Sequence, residues 1–350
     1  MKTAVFFLSP FCGGAERMTV TIAKLLDRSL YDVRFVVIGS QIGEVKDLVP
    51  DDYSLTLVKI RNIYDFTTLR VLRYLKKTKP QYVFCSLHYL NPRVIRAAKG
   101  VKDCKVIVRF NCAVERVSGI SKWLTEKTYP DADIIIAQTE KMQSDIESYF
   151  HLNKGKVITL HNLIDKDNIT VKLKDAENPY KDENRKVFVW VGRFNRVKGA
   201  DLLIEAFSEA CKKRDDICLY VVGKIDEHNE FYQSVIKKIE EYCLSNKIVF
   251  VGFQDNPYKW MKYANCFVLS SRSEGSPNAL FEALYLGVPS VATRCTPNID
   301  DIIIDEVNGY KVSVGDTISM SDGMIKALQL QSVKAVYHHS TPDDFKKLFQ

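Results

Sequence analysis

The chain has 350 residues, of which 46% are apolar and 27% charged, so it is long enough for two domains of ordinary globular composition. No stretch reaches the roughly 18 consecutive apolar residues of a membrane span, and nine cysteines without a C-x-x-C pair favour reduced thiols in the cytoplasm over a disulfide framework or a zinc site. The net charge of +7 arises in the first half, since residues 1–164 carry 25 Lys and Arg against 16 Asp and Glu, whereas residues 165–350 carry 25 against 27.

The first half alternates apolar strands with helical stretches. The strands are rich in Val, Ile and Phe with little polar alternation, which is typical of a parallel sheet covered on both faces. The sequence predicts strands at Thr3–Ser9, Val33–Ile38, Leu55–Ile60, Tyr82–Cys85, Val106–Phe110, Ile134–Ala137 and Val157–Leu160, and helices near Ala15–Asp27, Thr67–Lys77, Pro92–Lys99 and Lys141–Phe150. The first apolar run is too short for a signal peptide, so it is interpreted as a buried strand.

A polar run then interrupts the pattern, and alternation resumes after it. We therefore predict an N-terminal domain at 1–165, a linker at 166–186, a second Rossmann-like domain at 187–335 and a C-terminal helix within 336–350 that crosses back to the first domain. The second domain is predicted to contain strands at Val187–Val191, Cys218–Val222, Ile248–Val251, Phe267–Leu269 and Ser290–Ala292, and helices at Asp201–Lys212, Phe231–Leu244, Pro257–Tyr263 and around Glu282. The tail from Asp316 is irregular in pattern.

The basic excess of the first half falls in two clusters: Arg70, Arg73, Lys76, Lys77 and Lys79, and then Arg93, Arg96, Lys99, Lys102 and Lys105. On helices, these side chains could face anionic lipid head groups or a pyrophosphate-linked acceptor. The alternative is a solvated basic face that serves solubility alone. Nucleic acid is disfavoured because no recognisable nucleic-acid module accompanies the charge.

The segment 274–282, Glu-Gly-Ser-Pro-Asn-Ala-Leu-Phe-Glu, is the most informative part of the chain. Ser276 is a good N-cap, Pro277 suits the first helical position, and Asn278 and Ala279 then present backbone N–H groups to an anion. The last residue, Glu282, points back along the helix, and Glu274 lies on the preceding loop. Ionised carboxylates accept hydrogen bonds from the hydroxyl groups of sugars. Taken alone, the two acids could equally be a solvated helix residue and a loop charge.

Two cations lie five residues apart after the first strand of the second domain. Arg193 can bind a diphosphate through forked hydrogen bonds and Lys198 as a mobile point charge. Their charge would stabilise a departing diphosphate without a metal ion. Arg196 lies between them and is interpreted as a surface residue. The alternative for the pair is a solvent-exposed loop without function.

These motifs resemble the retaining, two-domain GT-B glycosyltransferases of family 4. The resemblance is carried by Glu-x7-Glu followed by Ala-Leu-x-x-Gly-x-Pro-x-Val-Ala-Thr, by Val-Gly-Arg-Phe-x-x-x-Lys-Gly about eighty residues earlier, by Gly-Gly-Ala-Glu-Arg at 13–17 and by residues 305–312. It spans nearly the whole chain and implies an α/β fold with two Rossmann-like, doubly wound parallel-sheet domains facing a cleft.

The resemblance also implies roles for individual residues. Arg193, Lys198 and Glu274 would be catalytic, with attack on the same face of the sugar as the departing phosphate. Glu282 would anchor the ribose of the donor, and a covalent intermediate on Glu274 stays an open alternative. The remaining residues assigned to the nucleotide sugar are Gly14, Gly223, Phe253, Gln254, Ser276, Asn278 and Ala279.

The Gly13-Gly14 loop invites comparison with dinucleotide-binding enzymes. The third glycine of that fingerprint is absent, and the second strand does not end in the acidic residue that would hold a ribose, so an NAD-dependent dehydrogenase is disfavoured. In GT-B enzymes this loop approaches the donor diphosphate or the acceptor, and Gly13 is assigned to the acceptor side. The alternative is a tight turn without a ligand.

The chain departs from the family pattern at two functional positions. Pro277 replaces a glycine between the two glutamates, which removes one backbone donor. The position of a catalytic histidine is ambiguous, because Ser86-Leu-His88 and Arg109-Phe-Asn111 both follow predicted strands and could reach the acceptor or the sugar. A lone histidine at a strand end is more often structural.

These observations together predict a metal-independent, retaining hexosyltransferase without a cofactor. Its donor would be a UDP-linked hexose or N-acetylhexosamine, and its acceptor a glycan or polyprenyl-linked glycan of capsule or O-antigen synthesis. Such an enzyme would be cytoplasmic and peripheral at the inner face of the plasma membrane. The alternatives are a catalytically silent sugar-nucleotide-binding scaffold, or an epimerase or phosphorylase-like enzyme of the same fold.

Overall fold

The computed structural model describes residues 1–60, 67–153, 155–296, 298–330, 333 and 340–350. The chain folds as two compact units, one comprising Met1–Leu163 with His338–Gln350 and the other Ile164–Tyr337. Each unit has a parallel β-sheet with helices packed on both faces. Two doubly wound sheets confirm the predicted fold class.

The described residues of the first unit form a seven-stranded sheet in the order β3-β2-β1-β4-β5-β6-β7. Its strands are β1 (Lys2–Leu8), β2 (Tyr31–Gly39), β3 (Ser54–Lys59), β4 (Tyr82–Cys85), β5 (Lys105–Arg109), β6 (Ile134–Ala137) and β7 (Val157–Thr159). Its helices are α1 (Gly14–Lys24), α2 (Thr67–Thr78), α3 (Asn91–Ala98), α4 (Gly119–Thr128) and α5 (Glu140–Tyr149). The order changes direction between β1 and β4, where ligands bind in open α/β sheets.

Side chains of β1 alternate between two cores, because successive residues of a strand face opposite sides of the sheet. Val5 and Phe7 pack in the core that contains α2, α3 and α5. Phe6 and Leu8 pack in the core that contains α1. Both faces of the strand are therefore apolar, which explains its lack of polar alternation.

The described residues of the second unit form a six-stranded sheet in the order β10-β9-β8-β11-β12-β13. Its strands are β8 (Lys186–Val191), β9 (Ile217–Val222), β10 (Ile248–Gly252), β11 (Cys266–Leu269), β12 (Ser290–Thr293) and β13 (Gly309–Val312). Its helices are α6 (Lys166–Leu173), α7 (Ala200–Lys213), α8 (Glu230–Glu241), α9 (Tyr258–Lys262), α10 (Asn278–Tyr285), α11 (Ile299–Ile302) and α12 (Thr317–Ala327). The order changes direction between β8 and β11.

The predicted linker is partly helical. Residues 166–173 form α6, which begins at an Asp165 side chain that accepts a hydrogen bond from the Asn168 N–H (3.1 Å), and Ile169 is buried in a core of the second unit. The segment belongs to that unit, and Ile169 and the partly buried Leu173 pack it against the core. These few apolar residues give no clear signal within the polar sequence of 166–186.

Three further helices, α4, α11 and α12, and the strand β13 were not predicted. Helix α4 begins at Gly119, which has a φ of +55°, and exposes Ile120 and Trp123, so its large apolar residues do not mark the buried face. Helix α12 lies in the tail predicted to be irregular, and its Met320 and Met324 fill a core one turn apart. The strand β13 pairs with β12.

A short C-terminal helix, α13 (Pro342–Lys346), packs within the first unit. Thr341 caps its first turn by accepting a hydrogen bond from the Asp344 N–H (3.3 Å). Phe349, three residues after this helix, is fully buried, and its ring centroid lies 5.6 Å from that of Phe6 and 5.5 Å from that of Tyr82. Residues 336–339 of the predicted C-terminal segment lie outside the described residues.

Replacing Phe349 by alanine is expected to lower the free energy of unfolding of the first unit by about 3–5 kcal/mol, the usual cost of truncating a buried aromatic side chain. Urea unfolding followed by circular dichroism would measure it. The control is Phe11→Ala, because Phe11 is 67% exposed and its loss should change stability by less than about 0.5 kcal/mol. Equal effects of the two changes would contradict this account of the C-terminal packing.

Candidate active site

The candidate site of the second unit lies where the loops after β8 and β11 diverge. These neighbouring strands are parallel, so their carboxyl ends meet at the same edge of the sheet. The chain leaves β8 toward one side of the strand order and β11 toward the other, which opens a crevice between the two loops. The β8–α7 loop (residues 192–199) carries Arg193 and Lys198, and the loop after β11 carries Glu274.

Lys198 and Glu274 form an ion pair in this crevice although they are 76 residues apart in sequence. The Lys198 Nζ donates to Glu274 Oε1 over 2.6 Å, and the Ser271 hydroxyl donates to the same oxygen over 2.6 Å. The Glu274 side chain is only 10% exposed and that of Lys198 28% exposed. The carboxylate is therefore fixed in direction, with the Lys198 ammonium group paired to it.

Arg193 lies at the start of the same loop and is exposed to solvent. Its neighbour Phe194 is buried among aromatic rings, with centroids 5.6 Å from both Tyr232 and Phe250. This packing anchors the backbone of the loop while the Arg193 side chain stays accessible. An accessible guanidinium group beside the crevice suits an incoming anion.

The backbone of the β8–α7 loop approaches neighbouring strands too closely for side chains. Gly199 has a φ of +67°, and a Cβ atom there would lie 1.9 Å from the Ser270 carbonyl oxygen. Gly223, predicted to face the nucleotide, follows β9, and a Cβ atom would lie 1.8 Å from the carbonyl oxygen of Gly192. Both glycines are thus required for the packing of the loop itself.

The start of α10 differs from the prediction. The N-cap is Pro277 rather than Ser276, and the Asn278 N–H donates to the Ser276 carbonyl oxygen over 3.0 Å. Pro277 has φ −83° and ψ 77°, which are the angles of an inverse γ-turn. The proline ring favours this turn because it restricts φ, so the backbone donor predicted at Asn278 is engaged and the helix begins one residue later.

Four further predicted residues lie in the same unit. Ala279 and Glu282 are half-buried in the first two turns of α10. Phe253 follows β10 and is 57% exposed, whereas the Gln254 side chain accepts a hydrogen bond from Trp260 Nε1 (3.3 Å). An exposed aromatic ring at a strand's carboxyl end is suited to stacking, and Gln254 is held in place.

Sequence reasoning missed two residues that contact Glu274. Ser271 orients its carboxylate, and the Cys295 carbonyl oxygen accepts a hydrogen bond from the Glu274 N–H (3.2 Å). Burial and the Glu274 charge raise the pKa of the Cys295 thiol to about 12, so this thiol is neutral at physiological pH. A serine three residues before a predicted functional acid was the signal available for Ser271.

In the first unit, the Gly13-Gly14 loop forms the start of α1. The Gly13 N–H donates to the Glu16 carboxylate over 3.2 Å, and the Ser9 hydroxyl donates to the other oxygen of that carboxylate. Glu16 is only 5% exposed. The backbone donor of Gly13 is therefore engaged by the helix cap, whereas Gly14 is exposed.

The two competing histidine candidates form one cluster. Asn111 Oδ1 accepts a hydrogen bond from the His88 backbone N–H (3.3 Å) and lies 2.9 Å from His88 Nδ1. An atom that accepts from a backbone N–H is an oxygen, so the proton of neutral His88 is on Nδ1 and its Nε2 is an acceptor. This arrangement suits a ring that receives a proton or a hydroxyl hydrogen bond.

Arg109, predicted on the acceptor or sugar side, is instead a core residue at 1% exposure. Its guanidinium group donates to the Ser86 hydroxyl (3.0 Å) and to the Asn162 side chain. Burial lowers its pKa to about 9. The buried guanidinium group is stabilised by these neutral acceptors, which follow β4 and β7, and its bond to Ser86 ties it to the loop that carries His88.

His88 is expected to make stability depend on pH. Burial lowers its pKa below the usual 6.5, a shift that the Asn111 hydrogen bond opposes and the Arg116 charge reinforces. Between the lowered native pKa and 6.5 the unfolded chain binds a proton that the native chain does not, so stability rises with pH and the contribution is complete above 6.5. Urea unfolding at pH 7.5 and 5.5 should show a larger acid-induced loss for the wild type than for His88→Gln. Equal losses would contradict this.

Two family models match the chain. Residues 12–168 match the glycosyltransferase family 4 model and residues 171–341 match the model of glycosyl transferases group 1. Together they cover nearly all of the chain, one match on each compact unit. The chain belongs to the family 4 type of glycosyltransferases and is a glycosyltransferase with the GT-B fold.

Similar proteins are also glycosyltransferases. An uncharacterized glycosyltransferase of Methanocaldococcus jannaschii is 34% identical over 183 residues, which are 51% of this chain and 44% of the relative. The Campylobacter jejuni N-acetylgalactosamine-N,N'-diacetylbacillosaminyl-diphospho-undecaprenol 4-alpha-N-acetylgalactosaminyltransferase is 26% identical, over 96% of this chain and 92% of its own. This chain therefore spans less than half of the first relative and most of the second.

Solved structures share the fold. Anabaena HepE in complex with UDP has a TM-score of 0.79 at 16% identity, with 95% of this chain and 92% of HepE covered. The same protein is also solved in complex with UDP-glucose. At this identity the likeness shows the GT-B fold.

Proposed function

We propose that the protein is a retaining glycosyltransferase that moves a hexose or N-acetylhexosamine from a UDP-linked donor to a hydroxyl group. The acceptor is a glycan or lipid-linked glycan in the synthesis of a surface polysaccharide such as capsule or O-antigen. The observation that carries the proposal is the Lys198–Glu274 pair at the direction change of the second sheet. The UDP in HepE and the diphospho-undecaprenol in the name of the C. jejuni relative support the donor and the acceptor class.

The proposed chemistry needs positive charge where the diphosphate departs. Negative charge grows on the diphosphate as the glycosidic bond lengthens, and Arg193 and Lys198 would stabilise it without a metal ion. When the diphosphate arrives, Lys198 can turn toward it, while Ser271 continues to hold the Glu274 carboxylate. Glu274 would then accept hydrogen bonds from the sugar hydroxyls, and Glu282 those of the ribose.

Retention of configuration follows in this proposal from attack on the face that the phosphate leaves. The acceptor hydroxyl would give its proton to the departing phosphate oxygen, so no carboxylate nucleophile is required. In the free protein the Glu274 carboxylate is held by Lys198 and Ser271, which supports a mechanism in which it is not the nucleophile. NMR of the product's anomeric proton would test retention directly.

A basic cavity in the first unit supports the proposal of an anionic acceptor or membrane surface. It measures about 290 Å³ and is lined by the apolar groups of Val58 and Tyr74 and by four cations, Lys59, Arg70, Arg73 and Lys77. Three of the four, Arg70, Arg73 and Lys77, lie on α2 at intervals of about one turn and come from the predicted basic cluster. A phosphate group on an apolar stem would find both charge and an apolar contact there.

No helix among the described residues has the length and apolar content to cross a membrane.

If the cavity binds lipid phosphate, the double change Arg73→Ser with Lys77→Ser should weaken binding to phosphatidylglycerol vesicles by about tenfold or more, since each charge contributes about 1 kcal/mol near an anionic surface. Vesicle flotation would measure the binding of the wild type and the variant. Inorganic pyrophosphate, added as a competitor, would detect a site for the phosphate of an acceptor. The control is Lys24→Ser on α1, which packs on the other face of the sheet. Unchanged flotation would contradict the lipid role.

The activity itself is tested by hydrolysis of a panel of UDP-, GDP- and ADP-sugars without an acceptor. We expect slow release of UDP from one sugar, lost in Arg193→Ala and in Glu282→Ala and kept in Arg196→Ala, whose side chain is exposed on the same loop. Binding of a nucleotide sugar without turnover under any acceptor would instead favour a silent scaffold. Interconversion of two sugars without release of UDP would favour an epimerase.

A further inference from the structure

Three successive carbonyl groups of the β8–α7 loop are held by residues that follow β11. The Arg196 carbonyl accepts from the Arg272 side chain (2.8 Å) and the Val197 carbonyl from the Arg272 backbone N–H (2.8 Å). The Lys198 carbonyl accepts from the Ser270 hydroxyl (3.0 Å). The main chain leading to Lys198 is therefore tied to the strand that precedes Glu274.

The guanidinium group of Arg272 also binds the first turn of α7. Its two terminal nitrogens donate to the two carboxylate oxygens of Asp201 over 2.6 and 2.7 Å, and one of these nitrogens is the donor to Arg196. Burial raises the pKa of Asp201, but the Arg272 hydrogen bonds and charge outweigh it, so the pKa is lowered and the carboxylate stays ionised. A planar fork can satisfy a carboxylate and a carbonyl together, which a single ammonium group cannot do in the same geometry.

We propose that Arg272, anchored by Asp201, is a positioning residue that sets the β8–α7 loop so that Lys198 faces the donor diphosphate. The inference rests on the proposed function of Lys198. Arg272 itself directs its charge at Asp201 and at the loop backbone, so it acts on the diphosphate through Lys198.

The side chain of Lys198 is long and flexible, so the direction of its ammonium group depends on the fixed main chain. The N–H of Lys198 donates to Asn195 Oδ1 (2.9 Å), which fixes one side of the residue, and the Ser270 hydroxyl fixes the other. Ser270 is in turn held by Trp190 Nε1 (3.1 Å) in the core. The Arg196 carbonyl also accepts from the Gly199 N–H (3.1 Å), and Arg272 supplies the hydrogen bonds that join residues 196 and 197 to the loop after β11.

The test compares the affinities for UDP and for uridine, because only UDP carries the diphosphate. For Arg272→Lys we expect UDP binding to weaken by about tenfold while uridine binding changes by less than about twofold, since ordering of the cation at the diphosphate is what is lost. Asp201→Asn should shift the same ratio in the same direction, which keeps the test valid if one variant folds poorly. Titration calorimetry for UDP and ligand-observed NMR for uridine supply the two constants.

The matched control is Arg185→Lys. Arg185 pairs with Glu183 at similar burial, with side chains 31% and 13% exposed against 30% and 19% for Arg272 and Asp201. A purely structural role predicts that Arg272→Lys and Arg185→Lys both lower Tm and leave the ratio of UDP to uridine affinity unchanged. That result, with Lys198→Ala still lowering the ratio, would overturn this inference alone. A wild type that binds none of UDP, GDP and ADP would overturn the proposed function as well.

Discussion

Replacing Lys198 by alanine is expected to lower the rate of sugar transfer at least about a hundredfold, or about 3 kcal/mol in transition-state stabilisation. The ammonium group lies 2.6 Å from the Glu274 carboxylate and is the side-chain cation paired with that acid in the crevice. Its loss removes the charge proposed to stabilise the departing diphosphate. Steady-state kinetics with the active UDP-sugar would show the effect mainly in kcat.

Stability must be separated from catalysis in this test, because Lys198→Ala leaves a carboxylate that is 10% exposed without its cation. The control is the double change Lys198→Met with Glu274→Gln, which replaces the ion pair by two neutral side chains of similar size. We expect this variant to recover most of the Tm lost in Lys198→Ala and none of the activity. A Lys198→Ala variant that keeps more than about a tenth of the wild-type rate would contradict the proposed role.

Gly199→Ala is expected to be strongly destabilising for the second unit. The added Cβ would lie 1.9 Å from the Ser270 carbonyl oxygen, and the φ of +67° is strained for any residue with a Cβ. The backbone of the loop must therefore move, at a cost of at least about 3 kcal/mol, the range of the severe single mutations. Thermal unfolding would measure the loss, and activity should fall with it because Lys198 is the preceding residue.

The matched control is Gly315→Ala in the same unit. Gly315 also has a positive φ, of +88°, but no atom lies within 4 Å of the position that its Cβ would take. This change should cost only the conformational strain, about 1–2 kcal/mol. Similar losses for the two variants would mean that the contact with Ser270 relaxes without cost, contrary to our account of the loop.

Much of the fold could be predicted from the sequence because the buried strands are continuous apolar runs. The strands Tyr82–Cys85 and Ile134–Ala137 have the predicted bounds, and two parallel sheets follow from the alternation. The elements that were missed lack such a signal. Helix α6 is polar apart from a few residues, and α4 exposes Ile120 and Trp123, so neither has the periodicity of a buried face.

The proximity of Lys198 and Glu274 could be predicted from the sequence, whereas the contacts around them could not. Residue spacing and family resemblance point to Lys198 and Glu274, and the sheet order brings the two together. The bond from the Asn278 N–H to Ser276 depends on the local angles at Pro277, which residue types alone do not determine. The burial of Arg109 depends on acceptors that distant strands supply, and sequence spacing does not report them.

A crystal structure of the protein with UDP tests the central claim most directly. The account predicts a diphosphate oxygen within about 3.2 Å of the Lys198 ammonium group, between the β8–α7 loop and the start of α10. It also predicts that Glu274 remains hydrogen-bonded to Ser271. UDP bound in the first unit, or a diphosphate that contacts neither Arg193 nor Lys198, would contradict it.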